Sequence, residues 1–381
     1  MKIGIHKFDP QRLDKLLEVN LMSEPYASKY TLFDSVQEML APEMLSELLS
    51  KRVTRVDCQP MNGHSGLAGG QLDYIDTNVG RFVLKRMSLE SDWIMVASQD
   101  SQCRAVRLWQ YGLLDRVLPH LEHPIIAGAQ QDHTWAMLME DLTGSFFAWD
   151  KPIPRRLVPV FLDGLARLHA TFWNDPYLHD VHLGLCDLTS LIDQTSPRKT
   201  RNYIGNQLGV LPDWITGGWQ VMEELLDPDV FLLMSNLTEN PGPLEEALSR
   251  YPFTLLHGDY RSENLAHLKP DRPFAIDWQE AACSLMTIDL AWFINWVLRE
   301  GEALDQAVST YRQSLEAYLV APFTDADWQA MIDLGTLIDV LRSTCFVAYW
   351  SRHSDIAKDR IRDERVVKRR NQQVRNAMRW L

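Results

Sequence analysis

The chain has 381 residues, 46% hydrophobic and 23% charged, a globular composition that excludes a disordered or fibrous protein. Its 38 Lys/Arg against 51 Asp/Glu leave a net charge of −13, which argues against nucleic acid as a partner, since phosphate backbones need a basic face. The five cysteines (Cys58, Cys103, Cys186, Cys283, Cys345) are scattered and odd in number, so neither a disulfide framework nor a structural zinc site is expected, and a reduced, cytoplasmic setting fits.

The first twenty residues hold no apolar signal segment. Helical spacing covers residues 11–18 and 33–50; in the second, Leu40, Met44, Leu45, Leu48 and Leu49 form one stripe, with Pro42 near a helix start. Residues 1–50 therefore read as an N-terminal helical extension. Strands are expected at Val53–Met61, Gln71–Asp76 and Arg81–Lys85, with a glycine-rich break at Asn62–Gly70 and a turn at Asn78–Gly80. A helix over Ser98–Tyr111 and a strand over Trp135–Met139 follow. Val158, Phe161, Leu162, Leu165, Leu168 and Phe172 give the next helix its buried face.

Trp214–Asn236 reads as helical, and Phe253–Leu256 and Pro273–Ile276 as short apolar runs ending in polar clusters. Ala281–Leu298 is the most apolar stretch, but Asp289 within it fits a buried helix better than a membrane span. Thr324 with Asp327 caps a long helix to about Trp350. Residues 358–381 carry a net +6, and Val367, Val374, Met378 and Leu381 share a helical face, so a final basic helix is expected to dock on the acidic body.

The chemistry concentrates in His257–Asn264, HGDYRSEN, where Asp259 precedes Asn264 by five residues, and in Asp277 of Ile276-Asp277-Trp278. Phosphoryl transfer needs these types: one carboxylate to orient a hydroxyl and take its proton, and a carboxylate with an amide oxygen to hold Mg²⁺. HGDYRSEN resembles the HxDxxxxN catalytic loop of the aminoglycoside phosphotransferase and choline kinase-like superfamily. Ile276-Asp277-Trp278 and Asp289-Leu290-Ala291 are similar to its IDW and DLA motifs. Leu165–Ala170 (LARLHA) and Met139–Leu142 (MEDL) resemble its helix and hinge.

The resemblance implies an α+β, bilobal protein-kinase-like fold, with a small β-rich N-lobe over 51–141 and a large helical C-lobe over 142–381. It implies Asp259 as catalytic base, Arg261 as a cation on the transferred phosphoryl group, and Asn264 and Asp277 as Mg²⁺ ligands. Lys85, with Gly63, Ser65 and Gly66 of the glycine loop, would contact the phosphates of ATP or GTP, and Glu140 and Leu142 would flank the adenine. The partner is then a small-molecule hydroxyl acceptor, with neither nucleic acid nor membrane. The acidic body favours an amine-bearing acceptor, such as an aminoglycoside or an amino alcohol; sugars remain open, and Trp173, Trp214 and Trp219 are candidate pocket residues.

The pattern is broken at Ala105, where the family commonly has a Glu paired with the strand lysine; Asp100 and Glu90 are the nearby substitutes. That break supports an alternative, a nucleotide-binding regulator without turnover. Neither Asp-Phe-Gly nor Ala-Pro-Glu follows residue 264, which disfavours a protein kinase.

Overall fold

The computed structural model describes residues 27–61, 69–148, 153–203, 211–269, 272–298, 304–353 and 364–381. The expected helix at 11–18 and most of the Asn62–Gly70 break lie outside them.

Helices α1 (Val36–Met39) and α2 (Pro42–Leu49) precede strands β1 (Val56–Pro60), β2 (Gln71–Thr77) and β3 (Gly80–Ser88). Helices α3 (Trp93–Ala97) and α4 (Arg104–Gln110) lead to strands β4 (Ile125–Gln131) and β5 (Thr134–Glu140). The five strands form one antiparallel sheet in the order β1-β2-β3-β5-β4. Strand β4 was not foreseen: its Ile-Ile-Ala-Gly-Ala-Gln-Gln run has weak alternation and a central glycine.

Period-2 alternation assigns the two faces of this sheet. Ile75, Leu84, Ala136 and Leu138 lie under Met39 and Leu45, so α1 and α2 cover one side. Val83, Met87, Trp135, Met137 and Met139 join the main core on the other. Lys85 lies two residues from both Val83 and Met87, so its side chain points inward as theirs do.

Of the expected helix over Ser98–Tyr111 only Arg104–Gln110 is helical, as α4, and the separate short helix α3 lies before it. Asp92 caps α3 through bonds from the Ile94 and Met95 N–H groups. After the break, the Asp100 carboxylate accepts from the Arg104 N–H at 2.9 Å and starts α4. The Asp100 bond sets the late start of α4.

The helical part begins with α5 (Val158–Thr171), whose Phe161, Leu162, Leu165 and Leu168 are fully buried. Then come α6 (Leu188–Asp193), α7 (Pro197–Tyr203), α8 (Leu211–Leu225), α9 (Pro228–Glu239) and α10 (Gly242–Leu248). The stretch expected to be helical over Trp214–Asn236 is so, divided between α8 and α9 because Pro228 lacks an N–H and fits only the first turn of a new helix. Strands β6 (Thr254–Leu256), β7 (Leu265–Lys269), β8 (Arg272–Ala275) and β9 (Ala282–Ser284) form two small pairs, β6 with β9 and β7 with β8.

Helices α11 (Thr287–Val297), α12 (Leu304–Leu319), α13 (Asp325–His353) and α14 (Glu364–Met378) complete the chain. The Thr324 hydroxyl accepts from the Asp327 N–H at 3.1 Å, as its cap role requires. Helix α14 docks with Val367, Arg370, Val374 and Ala377 buried. Met378 is 43% exposed, so the buried face is turned from the expected one. The reason is Arg370, which goes inward to Asp339 at 3.2 Å, while Arg375 and Arg379 pair with Asp227 and Asp333 at the rim. The expected α+β, bilobal architecture is thus observed. Among the described residues, no helix is long and apolar enough to cross a membrane.

Candidate active site

Strand β6 delivers the chain to Gly258, whose φ of +83° turns it sharply before Asp259. A Cβ at Gly258 would sit 2.0 Å from the Glu280 carbonyl oxygen, so only glycine lets the loop pass that close to the segment after β8. One buried carboxylate fixes this turn. Asp289 on α11 accepts from the His257 N–H at 2.7 Å and the Gly258 N–H at 2.9 Å, and lies 3.3 Å from the His169 ring on α5. Burial opposes ionisation of Asp289, but the hydrogen bond from His169 and the neighbouring charges outweigh it and hold its carboxyl below the ordinary value.

His257 is part of this frame. Its Nδ1 accepts from the Asp259 N–H at 3.2 Å, which leaves Nε2 to donate to the Ile276 carbonyl at 3.0 Å. The Ile276 N–H in turn donates to the Asn264 carbonyl at 3.0 Å. Ile276 is therefore clamped from both sides, and Asp277 emerges beside Asn264.

Burial lowers the His257 pKa below its usual 6.5, against the pull of the surrounding carboxylates. The unfolded chain then takes up this proton at higher pH than the folded one. The stabilising contribution of neutral His257 is complete above about pH 6.5 and is lost as pH falls from there towards the folded-state pKa. Thermal unfolding over a pH series is expected to show stability falling below pH 6.5, with a shallower slope in His257→Gln.

Asp259 is held at both oxygens. The Trp292 indole N–H donates to Oδ1 at 2.9 Å and the Asn264 amide to Oδ2 at 2.8 Å. Arg261 brings its Nε to 3.1 Å from the same Oδ1, so in this structure it is ion-paired with Asp259. Lys85 donates to Asp277 Oδ1 at 2.8 Å. Burial would raise the Asp277 carboxyl, but the Lys85 ammonium overrides it and holds it low, so Asp277 is ionised.

Mg²⁺ takes one or two protein oxygens together with substrate phosphates. The donor set here fits it. The Asn264 amide nitrogen is committed to Asp259, and neither Asn264 Oδ1 nor Asp277 Oδ2 has a protein donor among the described residues. Glu140 ends β5, with its N–H bonded to the Pro124 carbonyl at 2.9 Å and its side chain exposed. Leu142 is buried against Phe146, Ala266 and Phe274, beside the β7–β8 pair that follows Asn264. Gly63, Ser65 and Gly66 lie outside the described residues.

The structure thus brings together Asp259, Arg261 and Asn264 in one group and Lys85 with Asp277 in another, joined through Ile276. Sequence reasoning missed Trp292, three residues after Asp289 on α11 and hence one turn along the same helix face. It also misjudged the substitutes for the missing glutamate. Asp100 is occupied with capping α4, and Glu90 is exposed in a turn. The carboxylate that reaches towards Lys85 is Asp92, through Gln279. Of the three tryptophans considered for a pocket, Trp219 is buried with its N–H on the Thr195 carbonyl, and Trp173 packs on Phe323. Trp214 alone joins the aromatic row that runs through Trp350 and Trp296 to Trp292.

The sequence matches a model of the phosphotransferase enzyme family over residues 74–331. No curated protein matches it. Similar solved structures include a Plasmodium vivax ethanolamine kinase, at 11% identity, with 99% of this chain and 96% of the other covered and a TM-score of 0.49. Another is the microcompartment-associated aminopropanol kinase, at 12% identity, 88% and 94% coverage and a TM-score of 0.45. A third is an aminoglycoside-3′-phosphotransferase of type VIII, at 16% identity, 74% and 93% coverage and a TM-score of 0.43.

Proposed function

The chain belongs to the phosphotransferase enzyme family, and on that premise we propose that it moves the γ-phosphoryl group of ATP, or of GTP, onto a hydroxyl of a small molecule. The observation that carries this reading is that two polar pairs, Asp259 with Asn264 and Asp277 with Lys85, are joined through the backbone of Ile276. In it, Asp259 orients the acceptor hydroxyl and takes its proton. The acceptor oxygen bonds to the γ-phosphorus as the bond to the bridging oxygen breaks, and the nucleoside diphosphate leaves. Asn264 and Asp277 hold Mg²⁺, which when bound neutralises charge on the phosphates.

Lys85 contacts the α/β-phosphates, and Gly63, Ser65 and Gly66 are the candidate phosphate contacts of the glycine-rich segment. Arg261 exchanges its contact with Asp259 for the transferred phosphoryl group. Backbone groups of Glu140 and Leu142 read the base. The working division is an extension over 1–50, an N-lobe over 51–141 and an acceptor-binding C-lobe over 142–381. Aminoglycosides, amino alcohols and sugars are the acceptor classes to screen.

Ala105 favours the second reading, a nucleotide-binding regulator without turnover. Against it stand the retained Asp259, Asn264 and Asp277, and a Lys85 that is firmly bonded without the helix glutamate.

A thermal shift tests the nucleotide site directly. A ligand at a hundred times its Kd adds about 2.7 kcal/mol to stability. Wild type is expected to show a Mg²⁺-dependent rise with ATP, and Asp277→Asn to lose it. No rise in wild type at millimolar Mg·ATP or Mg·GTP would sink the kinase reading.

A further inference from the structure

We infer that Gln279 and Asp92 together do the work of the missing helix glutamate, as positioning residues for Lys85. This rests on the nucleotide reading above. Lys85 Nζ donates to Gln279 Oε1 at 2.5 Å, and Gln279 Nε2 donates to Asp92 Oδ2 at 2.7 Å. The amide spans the gap between ammonium and carboxylate with both its ends in use, so it has one orientation. The backbone of Gln279 is fixed too, because the buried Arg104 donates to its carbonyl at 2.7 Å.

Asp92 divides its oxygens. Oδ1 accepts from the Ile94 and Met95 N–H groups and starts α3, while Oδ2 faces Gln279. The carboxylate that in a direct pair would sit on Lys85 is thus one residue-length back, and the amide carries its pull forward. The space is closed by Gly70: a Cβ there would lie 3.4 Å from Lys85 Cε and 3.6 Å from Asp92 Oδ2. Ala105 is buried in the core and takes no part.

The relay predicts which substitutions loosen the lysine. Gln279→Leu removes an acceptor from the ammonium and a donor from Asp92. The paired change Gln279→Glu with Asp92→Asn reverses the polarity, placing the acid directly on Lys85 while the amide at position 92 donates to it. A hydrogen bond to a charged group carries about a tenfold effect or more.

The test is calorimetric titration of the full chain with Mg²⁺ and the non-hydrolysable imido analogue of ATP, and separately with adenosine. Gln279→Leu is expected to weaken the analogue about tenfold while leaving adenosine unchanged, and the paired change to recover most of that loss. A purely structural role would weaken both ligands alike, and that result would overturn the relay. Equal analogue affinity in wild type and Gln279→Leu would overturn it as well. Absence of any phosphate-dependent binding in wild type would overturn the nucleotide reading and the relay with it.

Discussion

Asp259→Asn is expected to reduce phosphoryl transfer by about 10²–10⁴-fold while Mg·ATP binding stays close to wild type. Two effects add. The amide cannot take the proton of the acceptor hydroxyl. It also offers one acceptor to a place that holds two donors, the Trp292 indole and the Asn264 amide. One of those bonds is replaced by a donor–donor contact, so the side chain swings from its place as well as losing its charge. The nucleotide side keeps most of its hold, because Lys85 is bonded to Asp277 and Gln279 and not to Asp259, and the Asn264 amide keeps its bond to the Asp259 backbone carbonyl. Initial rates of nucleoside diphosphate release, with an acceptor returned by the screen, together with the Mg·ATP thermal shift, check both halves. Turnover within tenfold of wild type would remove Asp259 from the role of base.

Gly258→Ala should be the most damaging single methyl in the proposed catalytic loop. The residue combines a φ of +83° with a carbonyl oxygen 2.0 Å from the new Cβ position. That oxygen belongs to Glu280 and cannot easily retreat. The Glu280 side chain is bonded to Gln194 at 2.8 Å and paired with the buried Arg342, which also donates to the Gly258 carbonyl at 2.8 Å. Backbone strain and overlap together place the loss above about 4 kcal/mol, in the range of severe core defects. Urea denaturation followed by far-ultraviolet circular dichroism measures it. A midpoint equal to that of wild type would mean the loop does not take this turn.

Much of the architecture was legible because it rests on local signals. The strands around Asn78–Gly80 have a turn between alternating runs, and the 325–353 helix has its cap written in Thr324 and Asp327. The proposed catalytic set stands out for a different reason: Asp259, Asn264 and Asp277 share a fixed chain spacing across one loop and one strand pair. Failures came where the decision is made by distant partners. Strand β4 is held by β5 across a bulge and has little alternation of its own. The break before α9 turns on one residue, Pro228, inside an otherwise helical run. Gln279 and Asp92 are 187 positions apart, and no periodicity marks an amide that bridges an ammonium to a carboxylate. Trp292 is a core residue whose one polar atom reaches Asp259, and no spacing marks that contact.

The Asp289 carboxylate, holding the amides of His257 and Gly258 against α5 and α11, carries a consequence for timing. Binding segments commonly belong to the parts of a protein that open most readily, with amide hydrogens that trade with solvent in minutes. This loop is built the other way. Its amides are covered, charge-bonded and tied to two buried helices. They should exchange at the rate of global unfolding, alongside the centre of α5. The proposed base then stands on the slowest-opening ground in the chain, and whatever admits and releases ligands has to move around it.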